Sequence, residues 1–365
     1  MMAFKVEVPG LKRGVKVANA VINRSKTSPM FPAMIFTIKE KEMLFYATNG
    51  GEYIVHREPT DCEEECKFVV SGEIFGKMVS SLKDEEVEIE EKGGYMVLRK
   101  GKKSSFKVPL LDPDKIISDD MWDQAVEYCR IPMKSFSSAV KRAMVTFAPD
   151  FNKGSDRVRF EIVDSTLRID TVNNIGATTT YVEAQVKQSA LFEVRGQTVE
   201  MFLKIFDGSE IVISAAGNRM FFNDGNSNLM ISLFTDNLIP DVDDFVQEGK
   251  YIEFESKDMA DSIGDVSLIF GKVNEKLGKI FEFRCEDEQL YVSAEDQNSY
   301  SESTLENDFQ CEDFKKHFKG EKVREFLMKG KSKKALVDFG LADENAPAVF
   351  KDDLGRLILM PIVRT

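Results

Sequence analysis

The sequence predicts an α+β protein made of three tandem units of about 122 residues, each with two helices packed on antiparallel sheets. Three leucines carry the period: Leu44, Leu167 and Leu290 lie 123 residues apart, each in a short β-rich run that ends in a polar turn. A helical pattern precedes each run, a second helix follows it, and a strand hairpin closes each unit. A fixed long period indicates repeated domains.

The elements follow the same order in each unit. The first helices show one apolar stripe at helical spacing, formed by Leu11, Val15, Ala18 and Ile22, then Phe136, Val140, Ala143 and Phe147, then Met259, Ile263 and Val266. The second helices are predicted over 74–82, 199–206 and 323–328, and the closing strands over 105–110, 229–234 and 356–361. These patterns predict domains 1–125, 126–246 and 247–365.

Composition excludes several classes of protein. The 365 residues are 42% hydrophobic and 30% charged, as in soluble globular proteins, and they contain no 18-residue apolar run. The N-terminus lacks a secretory apolar core, and five scattered cysteines favour a reducing cytoplasm, which we predict as the location. Two histidines leave little material for histidine-based catalysis. We expect no catalytic residue, no metal site and no cofactor.

Charge is segregated along the chain. The six predicted helical segments carry a net charge of +15, whereas the rest of the chain carries −28 and the whole chain −13. Residues 9–24 hold four basic residues and no acidic one, and residues 315–334 hold nine basic residues against two acidic ones. Basic helices that dock on a sheet with one face can present cations to a polyanion with the other, and duplex DNA is the densest such partner.

The helical cations are therefore candidate contacts to DNA phosphates. A further lysine lies in the Gly-containing loop 150–156. The predicted DNA-binding residues are Lys12, Arg13, Lys16, Arg24, Lys134, Lys141, Arg142, Lys153, Arg195, Lys204, Lys272, Lys276, Lys322 and Lys329. The alternatives are solvated helices with extended lysines, a nucleic-acid-binding or adaptor protein that does not encircle DNA, and a carboxylate-dependent hydrolase.

Several short motifs resemble the bacterial β sliding clamp, the processivity subunit of the replicative DNA polymerase. They are KKSSFKVPLL at 102–111, DDMW at 119–122, LIPDV at 238–242, NEK at 274–276 and LMPI at 359–362. Their order and spacing span the whole chain, and the low similarity suggests a divergent bacterial or phage-encoded member. The resemblance implies a non-enzymatic DNA sliding clamp that tethers the polymerase for processive synthesis.

The resemblance also implies a head-to-tail homodimer that closes a ring of six domains. Two candidate edge strands of opposite charge, 95–108 and 299–313, suit such a contact, although edge charges that prevent aggregation are an equal alternative. The predicted dimer-interface residues are Lys100, Lys102, Lys103, Phe106, Glu302, Glu306 and Asp308.

The family binds short peptide motifs of polymerases and clamp loaders in a pocket between its second and third domains. Carried over, that pocket would consist of Val172, Ile175, Ala177, Pro240, Phe245, Met360, Pro361 and Ile362. The chain departs from the family's Gly-His-Arg-Leu motif, with Asn-Ile-Gly-Ala at 174–177, and from its usual C-terminal residues, with Val-Arg-Thr at 363–365. These departures put the partner motif in doubt, and a plain core role for the apolar residues is an alternative.

Overall fold

The structure is a computed structural model that describes residues 3–22, 33–83, 85–100, 104–112, 124–148, 156–236, 238–246, 249–270, 279–296, 299–305, 312–341 and 343–362. The helices are α1 (Val8–Ile22), α2 (Gly72–Ser80), α3 (Met133–Ala143), α4 (Gly196–Ile205), α5 (Ser256–Val266) and α6 (Gly320–Gly330). Short 3₁₀ helices cover Val242–Phe245 and Ser267–Ile269.

The strands are predominantly antiparallel and follow the helices in a repeated order. They are β1 (Phe4–Glu7), β2 (Ala33–Lys39), β3 (Glu42–Thr48), β4 (Glu52–Pro59), β5 (Cys66–Ser71), β6 (Glu86–Lys92), β7 (Tyr95–Lys100), β8 (Ser104–Pro109), β9 (Val126–Pro132), β10 (Arg157–Val163), β11 (Thr166–Asn173), β12 (Gly176–Glu183), β13 (Gln185–Val186), β14 (Ala190–Arg195), β15 (Glu210–Ala216), β16 (Arg219–Asn223), β17 (Ser227–Ser232), β18 (Ile252–Glu255), β19 (Phe281–Glu286), β20 (Gln289–Asp296), β21 (Ser299–Leu305), β22 (Phe314–Phe318), β23 (Lys334–Asp338), β24 (Ala348–Asp352) and β25 (Gly355–Leu359).

The element order repeats three times, as the sequence predicts: a strand and a helix, then strands, a second helix and a closing set of three strands. By spatial contacts the chain divides into two compact units. The first unit is Met1–Met133 with Thr198–Leu233, and the second is Lys134–Gln197 with Phe234–Thr365. The three predicted domain boundaries remain a prediction.

Each unit contains one four-stranded sheet and one longer sheet. The first unit has the sheet β1-β6-β7-β8 and the strand order β9-β15-β16-β17-β4-β3-β2-β5. The second unit has the sheet β21-β20-β19-β22 and the strand order β14-β10-β11-β12-β25-β24-β23-β18. In each longer order, two four-stranded halves join through one strand pair, β17 with β4 and β12 with β25. We call these two pairs the junctions.

The two junctions share one register. Leu229 lies opposite Ile54 in the first junction, and Leu357 lies opposite Thr178 in the second. Ile54 and Thr178 occupy equivalent positions in their repeats. Ile54 follows the turn before β3 by the same number of residues as Thr178 follows the turn before β11. The repeat is therefore preserved down to individual backbone pairs.

The same turns correct the predicted leucine period. Each turn places a residue with positive φ at its first position, namely Glu40, Asp164 and Asp287. Counting from these residues aligns Met43, not Leu44, with the buried leucines of the other two repeats. Leu44 is half-buried because it lies on the other face of its strand. The first spacing is therefore one residue longer than predicted.

The helices bury the apolar stripes that the sequence predicts. In α1 the buried residues include Leu11, Val15 and Ala18. Gly14 lets the helix approach β3 closely, since a Cβ there would lie 2.1 Å from the Phe45 ring. In the second unit, Val145 and the apolar faces of α5 and α6 belong to one buried cluster. Burial of such clusters is the main stabilising contribution to each unit.

The cysteines are not all alike. Cys62, Cys66 and Cys129 are free and buried. Burial raises the pKa of both Cys66 and Cys129 to about 12, so these thiols are inert. Cys285 is disulfide-bonded, which differs from the expectation of a fully reduced chain.

Candidate nucleic-acid interface and partner pocket

A basic groove lies between α1, α2 and the Thr198–Ile205 part of α4 in the first unit. Its volume is about 1020 Å³, and it has an apolar floor that includes Val15 and Val79. Helices α1 and α2 approach closely because Gly76 faces Asn19, whose amide nitrogen lies 2.3 Å from where a Cβ would be. The charged lining residues are Lys12, Lys16, Glu73, Lys77 and Lys204. Three of the predicted DNA contacts, Lys12, Lys16 and Lys204, are thus brought together.

The ammonium groups in this groove differ in their availability. Lys12 donates to the Leu82 carbonyl at 2.6 Å, and Lys77 pairs with Glu73 at 2.6 Å. Lys16 and Lys204 are exposed and have no side-chain partner among the described residues. These two lysines are therefore the cations of the groove that are free to take a phosphate.

Arg13 is held by a buried polar chain. Its Nε donates to Glu58 at 2.8 Å, and Glu58 lies 2.9 Å from His56 Nε2. His56 Nδ1 lies 2.7 Å from the Ser227 hydroxyl across the β4–β17 junction. Burial favours a higher pKa for Glu58, but the hydrogen bonds from His56 and Arg13 outweigh it and hold the pKa below its usual value.

This network of four polar side chains has a structural role. The serine, histidine and glutamate have the residue types of a hydrolytic triad, but Ser227 is fully buried, so a substrate has no access to it. The sequence does not reveal this network, because Ser227 and His56 are 171 residues apart. Arg13 remains a half-exposed cation with its charge largely committed to Glu58.

The second unit places further predicted cations on helix surfaces. Lys134 and Lys141 of α3 are exposed and have no side-chain partner among the described residues. Lys322 and Lys329 of α6 both pair with Glu325, at 3.4 and 2.6 Å. Arg195 is also exposed, at the end of β14. Among the predicted contacts of this unit, the unpaired cations are therefore Lys134 and Lys141 of α3 and Arg195.

Arg142 is the predicted DNA contact that the structure contradicts. Only 1% of the residue is exposed. Its Nη2 donates to Asp352 at 2.6 Å, and the guanidinium lies 3.8 Å from the centroid of the Phe326 ring. Burial lowers the pKa of Arg142, and the Asp352 carboxylate opposes that shift. The residue joins α3 to α6 and β24 and is not available to a phosphate.

Several predicted site residues lie outside the part of the chain that the structure describes. They are Arg24, Lys102, Lys103, Lys153, Lys272, Lys276, Glu306 and Asp308.

The strand residues of the predicted partner pocket lie on the face of the second unit's long sheet that is opposite to α5 and α6. Ala177 packs in a buried apolar cluster with Val242, Val349 and Ile358, and Val172 packs against that cluster. The C-terminal segment passes alongside, with the Met360 amide donating to the Ile175 carbonyl at 2.9 Å. The structure thus gathers Val172, Ala177, Ile175 and Met360 in one region.

The surface of this region retains exposed apolar groups. Met360 is 40% exposed and Phe245 is 37% exposed. Pro240 is exposed, whereas Pro361 and Ile362 are half-buried. Exposed apolar side chains beside a buried apolar cluster are typical of a surface that docks a partner.

Arginines hold the segment that carries Pro240 and Phe245. Arg159 donates to the Ile239 carbonyl and, at 3.3 Å, to the Pro240 carbonyl. Arg168 donates to Asp243 at 2.8 Å. The buried Glu193 accepts the Leu238 and Ile239 amides at 3.1 and 3.2 Å. The segment that carries Pro240 and Phe245 is therefore fixed by charge-assisted hydrogen bonds that the sequence pattern did not reveal.

The predicted edge strand 95–108 is in fact a hairpin of two strands, the interior strand β7 and the edge strand β8, and the described part of the segment 299–313 contains the edge strand β21. Among the described residues, β8 pairs within its sheet only with β7, and β21 pairs only with β20. Phe106 of β8 is half-buried. Glu302 of β21 accepts from Arg284 at 2.7 Å and from the Tyr300 hydroxyl. Lys100 is the last residue of β7.

Two further features bear on function. No group of three or more metal-ligating side chains occurs among the described residues. Within the same ranges, every helix is too short or too polar to cross a membrane.

Comparison with known proteins identifies the fold class. Residues 2–117 match the family described as DNA polymerase III beta subunit, N-terminal domain. A sliding clamp structure from Bacillus subtilis superposes over 100% of both chains with a TM-score of 0.89 and 16% identity. The fold is therefore that of the bacterial DNA polymerase sliding clamps.

The sequence relatives are distant. A beta sliding clamp of Mycoplasma pneumoniae is 29% identical over 27% of this chain, and the match spans only 26% of the relative's length. A beta sliding clamp of Rickettsia felis is 21% identical over 96% of both chains. These findings confirm the resemblance to the β sliding clamp family that the sequence motifs predict.

Proposed function

We propose that the chain is a DNA sliding clamp: two copies close head to tail into a ring of six domains that encircles duplex DNA and tethers the replicative polymerase. The observation that carries this proposal is the pair of four-stranded sheets. The sheet β1-β6-β7-β8 corresponds to β9-β15-β16-β17, and β21-β20-β19-β22 corresponds to β4-β3-β2-β5. Inside the chain, each junction joins one sheet of the first kind to one of the second kind. In these two sheets the corresponding edge strands, β8 and β21, have no such partner among the described residues.

The repeat supplies a register for ring closure. Within the hairpins, Leu98 faces Phe106 as Phe222 faces Leu229. Applying the register of the two junctions to the open strands places Phe106 of one copy opposite Ser301 of the other. An antiparallel pair of β8 with β21 would remove both open edges, which stabilises a closed ring.

An exposed leucine supports the same contact. Val145 follows α3 and is fully buried in the cluster formed by α5, α6 and their sheets. Leu268 occupies the equivalent position after α5, since both lie five residues beyond the buried Val140 or Ile263, and it is 81% exposed. A partner copy would bury Leu268 as the second unit buries Val145.

The basic helices suit nonspecific DNA binding. Among the predicted DNA contacts on the described helices, the free cations are Lys16 and Lys204 in the first unit and Lys134 and Lys141 in the second. Contacts to phosphates carry no sequence information, so the ring can move along the duplex. The topology of the ring, and not tight binding, then retains the DNA.

The apolar pocket is the proposed site for short peptide motifs of the polymerase and the clamp loader. Its support is the exposed Met360 and Phe245 beside the buried cluster around Ala177. A tethered polymerase gains a high effective concentration at the primer end. Because 174–177 differs from the family pattern, the partner motif is expected to differ as well.

Retention on DNA tests the topological mechanism. The labelled protein is loaded on nicked circular DNA with a bacterial clamp loader, and the bound fraction is measured by gel filtration before and after linearisation. We expect retention on the circle and loss on the linear form. Binding that survives linearisation unchanged would favour a nucleic-acid-binding protein that does not encircle DNA.

A charge variant tests the DNA-facing helices. The fourfold change of Lys16, Lys204, Lys134 and Lys141 to Gln should weaken binding of the unloaded protein to linear duplex and reduce its salt dependence. The matched control changes four exposed lysines outside the helices, Lys5, Lys39, Lys41 and Lys92, to Gln. Equal loss in both variants would contradict the assignment of the basic helices.

A further inference from the structure

A buried ion pair lies beside the second junction, and the positions equivalent to its two residues can be located in the other repeats. Arg142 of α3 and Asp352 of β24 meet there at 2.6 Å, and their side chains are 2% and 1% exposed. Both residues belong to elements that recur, so each has an equivalent position at the surface where β8 and β21 lie open.

The equivalent of Arg142 is an acid. Helices α3 and α5 align through their buried residues, with Val140 matching Ile263 and Ala143 matching Val266. The alignment places Asp265 at the position of Arg142. Asp265 is exposed and has no side-chain partner among the described residues.

The equivalent of Asp352 is a base. Phe350 faces Leu357 in the hairpin of β24 and β25, as Leu98 faces Phe106 in the hairpin of β7 and β8. Two residues further along each first strand lie Asp352 and Lys100. The register position of Asp352 is therefore taken by Lys100 at the end of β7.

We propose that Asp265 of one copy pairs with Lys100 of the other, in an intersubunit ion pair whose charges are exchanged relative to the internal Arg142–Asp352 pair. The proposal rests on the ring of the proposed function and assigns its interface one specific polar contact. The occupant of this surface is a second copy of the chain, and the complementary charges at two equivalent positions carry the assignment.

The exchange of charge gives the interface its specificity. If α5 docked on a β24–β25 hairpin, Asp265 would oppose Asp352. If α3 docked on a β7–β8 hairpin, Arg142 would oppose Lys100. Like charges at a closing interface disfavour the wrong pairing. The third repeat can therefore pair with the first repeat of another copy. Like charges disfavour its pairing with a β24–β25 hairpin, so it does not compete with the internal junction.

Mixed variants test the pair. Asp265→Lys and Lys100→Asp each place like charges opposite one another at both interfaces of a homodimer, so each variant should dimerise at least about tenfold more weakly in sedimentation equilibrium. Mixing the two variants creates a heterodimer in which one interface is native and the other is fully exchanged. We expect the mixture to regain the dimer affinity of the unchanged protein.

The controls separate this inference from the ring itself. Asp261→Lys makes the same charge change one turn earlier on α5 and should leave dimerisation within about twofold. Neutral variants Asp265→Asn and Lys100→Gln serve if a charge reversal fails to fold, as judged by circular dichroism, and should weaken the dimer less. If the unchanged protein is a dimer but neither charge reversal weakens it, or mixing fails to restore it, the ion pair is wrong and the ring stands. A monomeric unchanged protein would overturn the ring and the pair together.

Discussion

The two junctions of this chain share a backbone and differ in chemistry. In both, the fourth strand of one repeat pairs with the last strand of the next repeat in the same register. At the β4–β17 junction, a hydrogen-bonded network of side chains runs from Ser227 through His56 and Glu58 to the half-exposed Arg13. This network includes the ion pair of Glu58 with Arg13 and so reaches the surface of α1.

The β12–β25 junction is held by different groups. The Thr146 hydroxyl lies 2.8 Å from the Thr171 hydroxyl and 2.9 Å from that of Thr178, and all three residues are fully buried. The ion pair of Arg142 and Asp352 is buried beside them in the same unit. Here the charges are enclosed and the rest of the network is neutral.

The comparison shows which part of a repeated interface is constrained. Strand register is set by backbone pairing and by the alternation of buried residues, so a change of one residue would turn every side chain to the wrong face. Buried polar groups, in contrast, need only a hydrogen-bond partner, whatever its chemical type. Ionised and neutral networks can therefore replace each other while the register stays the same.

The largest effect is expected at the enclosed ion pair. Arg142→Met leaves Asp352 buried without its partner, which should lower the free energy of unfolding by about 3–5 kcal/mol. The double variant Arg142→Met with Asp352→Leu removes both charges and should recover most of that loss. Urea denaturation of the three proteins measures the difference. A single variant as stable as the unchanged protein would show that the pair contributes nothing.

The polar network of Ser227, His56, Glu58 and Arg13 at the first junction should make the stability of the fold depend on pH. The pKa of Glu58 is held below its usual value, so its ionised form stabilises the fold above the pKa of the unfolded state. That contribution is lost as the pH falls through the lowered pKa. Glu58→Gln should cost about 1.5–3 kcal/mol at pH 7, because it replaces hydrogen bonds to a charged group.

The pH profile is the control for this variant. Denaturation of the unchanged protein and of Glu58→Gln at pH 7, 5 and 3 should show the difference between them shrinking as the medium becomes acidic. A difference that is constant over this range would mean that the charge of Glu58 is not what stabilises the junction.

The smallest effect is expected in the threonine network. Thr146→Val removes one hydroxyl and leaves those of Thr171 and Thr178 with fewer partners, which should cost about 1–2 kcal/mol with no dependence on pH. The exposed Thr235→Val makes the same chemical change and should be neutral. If Thr146→Val were neutral too, the hydroxyl cluster would be incidental to the stability of this junction.

Local patterns made the fold predictable. The apolar stripes of α1, α3 and α5 and the polar turns that follow β3 and β11 are contained in short stretches, and the structure confirms them. The leucine period was wrong by one residue, because apolar residues lie on both faces of β3. From the sequence alone, Leu44 and Met43 are equally good candidates for the buried face. The position of the turn before β3 shows that Met43 is the buried one.

The site was less predictable because charge alone does not reveal burial. Arg142 and Lys141 are adjacent and basic in the sequence, yet one is enclosed by Asp352 and the other is exposed. The difference depends on a carboxylate 210 residues away. Ser227 was missed because only the strand pairing brings it to His56. Glu58 lies two residues from His56 on β4, but its partner Arg13 is 45 residues away in the sequence.

The open strands β8 and β21 have a consequence for how a closed ring would be opened. Two copies joined head to tail meet at two identical seams, and parting one seam is enough to admit DNA. The other seam then acts as a hinge that keeps the copies together, so reclosure is an intramolecular event with a high effective concentration. A clamp loader that opened one of the two interfaces would need to overcome only half of the association free energy. The ring would then close again without reassembly from separate chains.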